Sequence, residues 1–125
     1  MLDVSDITFQ RGEDGQLISQ EVELETLPDK PTVKVRPLTR GKLQEIYSMA
    51  TSNSAEEKIK ADSEVIKQGL VEPKLTEESI RDLKPSFAQA ISMAILSISL
   101  GTSQEDVAKQ TEDLLKSQED SLKKN

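Results

Sequence analysis

Hydrophobic positions alternate with polar ones in the first third of the chain. Val22 and Leu24 occupy every second position of one segment, and Val33 and Val35 do so in the next, with residues 27–31 between them. A period of two is typical of strands that bury one face, and the Pro and Asp of the intervening segment are typical of turns. The pattern predicts an antiparallel hairpin.

The polar positions of this hairpin carry opposite charges on its two strands. Glu21, Glu23 and Glu25 lie on one strand, and Lys34 and Arg36 lie on the other. Since side chains of opposite sign stabilise each other across two paired strands, we expect the two rows to face each other.

A second pair of strands is predicted ahead of this hairpin. Residues 7–10 would pair with residues 16–18 across a glycine-containing turn at 11–15.

After Pro37 the apolar positions recur every three or four residues, which is the spacing of helices. Thr39 is the predicted N-cap of a helix over 41–50, in which Tyr47 would lie at the edge of the core. Ser54 and a glutamate three positions later predict a capping box for a helix over 55–68. Its inward residues would be Ile59, Val65 and Ile66, and Gly69 would end it.

Three further segments complete the helical part of the chain. Residues 70–75 are predicted to be a connector, and Thr76 to cap a short helix that reaches Leu83. Pro85 is favoured in the first turn of a helix, so the most apolar segment should begin there and end at Gly101. A last helix is predicted to begin at Ser103.

These elements predict an α+β fold, mainly α, with a short N-terminal antiparallel β-hairpin followed by a bundle of four to five helices. We divide the chain into an N-terminal β-strand region at 1–38, a helical domain at 39–117 and a flexible polar tail at 118–125. The tail has one apolar residue, so it lacks the means to pack.

The composition argues against most enzyme classes. The 125 residues include no histidine and no cysteine, so the usual general base, thiolate nucleophile and zinc ligands are missing. The paired carboxylates along the chain fall near predicted helix starts or on exposed faces, where negative charge is favoured. We therefore expect no catalytic residues, no cofactor and no metal site.

The net charge bears on the partners. With 16 basic and 23 acidic residues the chain carries a formal charge of −7, which repels phosphate backbones and anionic lipid surfaces. Its apolar runs are also shorter than the roughly 20 residues that span a bilayer. We expect a cytoplasmic protein that binds neither nucleic acid nor membrane.

Two short motifs resemble a known family. The sequence V-K-V-R-P-L-T at 33–39 resembles the strand-to-helix entry of tail assembly chaperones of long-tailed bacteriophages and prophages, and G-L-V-E-P-K-L-T at 69–76 resembles the element after their second helix. The short helix, the Pro-initiated helix and the isoleucine-rich helix of 81–101 follow in the same order. The resemblance covers about residues 33–101.

The resemblance implies a non-enzymatic protein in the host cytoplasm that binds the tape-measure protein, or another tail protein, and keeps it soluble during tail assembly. We also expect self-association. An acidic protein with an aliphatic face suits this role, because it masks apolar stripes while its charge keeps the complex dispersed. The predicted partner-binding residues are Phe87, Ile91, Ile95, Ile98, Val107, Leu114 and Leu115.

Three other functions remain open from the sequence. A structural virion component, such as a head–tail connector or tail-terminator subunit, would form stable rings. A generic cytoplasmic adaptor domain would use the same helical face. A small enzyme or enzyme regulator would need a carboxylate or lysine mechanism.

Overall fold

Three strands and six helices make up the part of the chain that the computed structural model describes, residues 2–109. In chain order they are α1 (Val4–Ile7), β1 (Gln20–Glu23), β2 (Thr32–Val35), α2 (Arg40–Ala50), α3 (Ala55–Gly69), β3 (Leu70–Glu72), α4 (Glu77–Arg81), α5 (Pro85–Leu100) and α6 (residues 104–109). The fold is α+β and mainly helical, which confirms the predicted class.

The predicted hairpin is present, but of the two rows of opposite charges expected to face each other only Glu21 and Lys34 are partners in the β1–β2 pairing. Strands β1 and β2 pair antiparallel, with Val22 opposite Val33 and Glu21 opposite Lys34. The apolar side chains of both strands therefore share the face that packs on the helices, and one pair of opposite charges faces outward.

The sheet has a third strand that the sequence pattern did not indicate. The predicted connector at 70–75 begins with β3, which pairs antiparallel with β2 and brings Glu72 opposite Lys34. The strand order is β1-β2-β3. Because β3 has only three residues and follows α3 without a break, it is too short for a period of two to be recognised.

The hairpin was predicted to be N-terminal, but helix α1 precedes it. The Asp3 amide donates to the Asp6 carboxylate at 3.0 Å, an arrangement typical of a helix start. Ile7 ends this helix, so the strand predicted over 7–10 is wrong. The chain does reverse direction after it, but Arg11 and Leu17 form only an isolated bridge.

Most of the predicted helix ends are confirmed, although α4 ends at Arg81 and not at Leu83. Side-chain oxygens of Thr39, Ser54 and Thr76 each accept a hydrogen bond from a backbone amide three residues later. Pro85 lies at the first position of α5, and Gly101 ends that helix in the left-handed conformation with φ of 71°. Five helices follow the hairpin and α1 precedes it, so the described residues hold six where four to five were predicted.

One hydrophobic cluster joins the sheet to the helices, and residues on both sides of position 38 contribute to it. Its buried members are Leu24, Leu27, Val33, Val35, Leu38, Ile46, Ala61, Val65, Ile66, Ala90, Ile91, Ala94 and Ile95. Helix α5 supplies the last four, more than any other helix or strand of the described residues. The predicted polar tail at 118–125 lies outside the described residues.

Gly69 ends α3, as predicted. Glycine is needed there because a side chain would collide with a neighbour, and not because the backbone has the left-handed conformation typical of a helix end. A Cβ atom at this position would lie 2.6 Å from Cγ2 of Ile95. Ile95 is fully buried, so its side chain has no room to withdraw. The backbone of Gly69 is also held, because its carbonyl accepts from the Arg36 amide at 2.8 Å.

We predict that Gly69→Ala destabilises the protein by about 1–3 kcal/mol, the usual cost of an added methyl group in a filled core. Urea unfolding followed by circular dichroism measures the change. Gly41→Ala is the matched control, since a Cβ there meets no atom within 4 Å. The control should leave stability unchanged or raise it by up to about 1 kcal/mol through helix propensity. Equal stabilities of the two variants would contradict the close approach at Gly69.

Candidate functional site

A groove of about 730 Å³ lies between helices α2, α3 and α5. Its walls are mostly apolar, and no residue of the three strands lines it. The residues that line it are Arg40, Leu43, Gln44, Ile46, Tyr47, Ser48, Ala50, Ala61, Asp62, Val65, Leu96 and Leu100.

Each helix contributes a pair of residues four positions apart. Residues at this spacing lie one above the other on a helix face, so each wall presents two neighbouring side chains. The pairs are Leu43 and Tyr47 on α2, Ala61 and Val65 on α3, and Leu96 and Leu100 on α5. Ala61 and Val65 are buried and form the floor.

The rim of the groove exposes large apolar side chains to water. Tyr47 is 68% exposed and Leu100 is 50% exposed, whereas Leu43 and Leu96 are half-buried below them. Exposed apolar side chains that adjoin a concave surface are typical of binding sites in proteins. A partner that covered them would remove their apolar area from water.

One end of the groove is held by a hydrogen bond between its two walls. The hydroxyl of Ser99, on α5, accepts from the Leu38 amide at 2.8 Å and donates to the Ile95 carbonyl at 2.7 Å. Leu38 lies just before the cap of α2, so this bond fixes the start of α2 against the end of α5.

The charged groups at the groove are few. Arg40 and Asp62 are the two ionised side chains among its lining residues, and a nearby surface pair joins Lys42 to Glu45 at 2.9 Å. Among residues 2–109, no three acidic side chains converge in a way that would hold a metal ion. The arrangement suits the noncovalent binding of an apolar surface.

The structure places most of the predicted partner-binding residues away from this groove. Ile91 and Ile95 are buried in the core, and Ile98 is half-buried against it. Phe87 is 38% exposed near the start of α5. The physical reason is that α3 and the sheet cover the isoleucine face of α5, which leaves Leu96 half-buried and Leu100 exposed at the groove.

Of the contact residues predicted in the last helix, the structure describes only Val107. Val107 is buried, although it was predicted to form part of a partner-binding strip. Leu114 and Leu115, the other members of that strip, lie outside the described residues. Tyr47, predicted to lie at the edge of the core, is 68% exposed, and its four-residue spacing from Leu43 is a sequence signal that could have indicated the groove.

A second group of exposed apolar side chains lies in the N-terminal segment. Its members are Leu2, Val4, Ile7, Phe9 and Ile18.

Within the described residues no helix has the length and apolar character needed to cross a bilayer.

An exposed ion pair links α3 to α4. Nζ of Lys67 lies 2.9 Å from Oε1 of Glu77. The hydrogen bond and the charge of Lys67 lower the pKa of the Glu77 carboxyl, and Glu77 in turn raises the pKa of Lys67. Any stability from Glu77 is therefore lost as the pH falls through its folded pKa, and any from Lys67 is lost as the pH rises through its own.

We predict that Lys67→Met raises the pKa of Glu77 towards its ordinary value, because the ammonium group that favours the carboxylate is gone. Carboxyl chemical shifts followed by NMR through an acid titration measure the change, with Glu78 as the internal reference. In the unmodified protein, high salt should bring the pKa of Glu77 closer to its ordinary value, because both charged groups face solvent and salt screens their attraction. An unchanged pKa of Glu77 in the variant would show that the pair does not persist in solution.

Comparisons with protein-family models, with curated proteins and with solved structures find no match to this chain. The resemblance to tail assembly chaperones therefore rests on the two motifs and the order of the elements.

Proposed function

We propose that this protein is a non-enzymatic assembly chaperone of a phage tail, and that it binds an apolar helical segment of the tape-measure protein in the groove between α2, α3 and α5. The observation that carries the proposal is the exposed apolar rim of that groove, formed by Tyr47 and Leu100. The motifs at 33–39 and 69–76 support the choice of client.

An amphipathic helix suits the groove in shape and chemistry. The paired residues of α2 and α5 supply apolar side chains on both sides of the groove, between which a third helix can lay its own apolar face. The wall formed by α2 has 11 residues, about 16 Å of helix, so it accommodates two or three turns of a client. Such a contact would bury the client residues that otherwise drive its self-association.

The composition of the groove favours moderate affinity. Tyr47 is its one aromatic residue, and aromatic side chains are the commonest source of strong binding energy at interfaces. Moderate affinity allows the tail tube to displace the chaperone as it polymerises. The charge of −7 keeps the complex dispersed in the host cytoplasm, where we place the protein, and several copies that self-associate would cover a long client.

Co-expression with a tape-measure protein tests the proposal. We predict that the unmodified protein recovers the client in the soluble fraction, and that Tyr47→Ser with Leu100→Ser lowers recovery by roughly fivefold or more, because 1–2 kcal/mol of apolar contact is lost. Leu2→Ser with Ile18→Ser is the matched control, since both residues are exposed and lie outside the groove. The control should recover as much client as the unmodified protein.

Circular dichroism and urea unfolding check that both double variants are folded. We expect them to fold, because all four substituted side chains are exposed. Ile95 is unsuitable as a probe, because a charged residue at a fully buried position would unfold the domain. Equal client recovery by the two double variants would refute the groove as the site. A client that stays insoluble while this protein forms stable rings would instead support a structural virion subunit.

A further inference from the structure

Strand β1 is an edge of the sheet, because it pairs only with β2 among the described residues. Val22 lies opposite Val33, and the Leu24 amide donates to the Pro31 carbonyl at 2.8 Å, so the even-numbered residues turn their backbone groups towards β2. In an antiparallel pair the residues between them turn outward. Glu21 and Glu23 therefore present their amides and carbonyls along the outer edge, and the Glu25 amide lies just beyond the strand.

The side chain of Gln104 occupies part of this edge. Its amide nitrogen donates to the Glu23 carbonyl at 2.7 Å, and its amide oxygen accepts from the Glu25 amide at 3.3 Å. Gln104 is only 4% exposed, so these bonds are made in a largely dry environment. One residue of a parallel strand would bind the same two groups, a carbonyl and the amide two positions later. Gln104 thus takes the place of one residue of a neighbouring strand.

The next position along the edge is open. The Glu21 carbonyl and the Glu23 amide form the same kind of pair, and within residues 2–109 they have no hydrogen-bond partner. Both residues are exposed. An unpaired strand edge with free backbone groups is a template for another extended chain.

The charges beside the edge select the kind of chain that fits. Glu21 and Glu23 lie two positions apart on β1, so their carboxylates project from one face of the strand; Glu21 lies opposite Lys34, whereas Glu23 lies opposite Thr32. Lysine or arginine at alternate positions of an added strand would lie next to these carboxylates. A second copy of β1 would bring glutamates against glutamates, which is unfavourable.

We infer that the outer edge of β1 is a binding site for an extended polypeptide segment with basic residues at alternate positions, which adds to the sheet as a fourth strand and displaces the side chain of Gln104. The carbonyls of Glu21 and Glu23 and the amides of Glu23 and Glu25 supply the hydrogen bonds, and the carboxylates of Glu21 and Glu23 supply the selectivity. This site is independent of the helical groove and of the function proposed for it.

A ten-residue peptide of alternating lysine and valine is the probe, and the same peptide with glutamate in place of lysine is its control. Full-length protein labelled with ¹⁵N is titrated with each, and amide exchange is measured by NMR. The lysine peptide should slow exchange of the Glu21 and Glu23 amides by about tenfold or more, and the glutamate peptide should leave them unchanged.

Two sets of variants test the parts of the site. Gln104→Ala should bind the lysine peptide about threefold or more tightly, because the peptide no longer displaces an amide that is already bonded. Glu21→Lys with Glu23→Lys should reverse the preference in favour of the glutamate peptide. Glu13→Lys with Glu56→Lys changes the net charge equally at exposed positions outside the sheet, and should keep the original preference.

Two results would overturn the inference. The first is lysine-peptide binding that leaves exchange at Glu21 and Glu23 unchanged, which would place the peptide elsewhere. The second is an unchanged preference: the Glu21→Lys, Glu23→Lys variant binds each of the two peptides as tightly as the unmodified protein does. If Gln104→Ala fails to fold, these two measurements still decide, because Glu21 and Glu23 are exposed and carry no side-chain hydrogen bond in the described residues.

Discussion

The fold depends on the close approach of helices α3 and α5 at Gly69 and Ile95. The absence of a side chain at Gly69 lets Ile95 lie directly against the backbone, and the Gly69 carbonyl accepts a hydrogen bond from Arg36 at the end of β2. The next residue begins β3. The packing of the two main helices and the attachment of the third strand therefore share one backbone position, so a shift of α5 would also disturb the sheet.

Local chemistry explains which elements were predictable. The caps at Thr39, Ser54 and Thr76 act within three residues, so the sequence contains everything that determines them. The hairpin of β1 and β2 is likewise joined by a short turn. Strand β3 forms because it pairs with the free edge of β2, which lies more than 30 residues earlier in the chain. A pattern within three residues cannot indicate a pairing over that distance.

The candidate site was harder to predict than the fold, because α5 is apolar on most of its surface. Periodicity therefore does not determine which part of this surface α3 and the sheet cover. The isoleucines became core, and Leu96 and Leu100 became wall. The edge of β1 posed a similar problem, since the role of Gln104 depends on contacts across about 80 residues of chain.

The bond between Ser99 and Leu38 has a consequence for the kinetics and the entropy of binding at the groove. Since this bond joins the start of α2 to the end of α5, the spacing of the two walls at that end is set before any partner arrives. An incoming helix then has to order little more than the exposed side chains of Tyr47 and Leu100. Preorganisation of this kind lowers the conformational entropy lost on association. It also allows fast association, because α2 and α5 do not have to move apart before the partner binds.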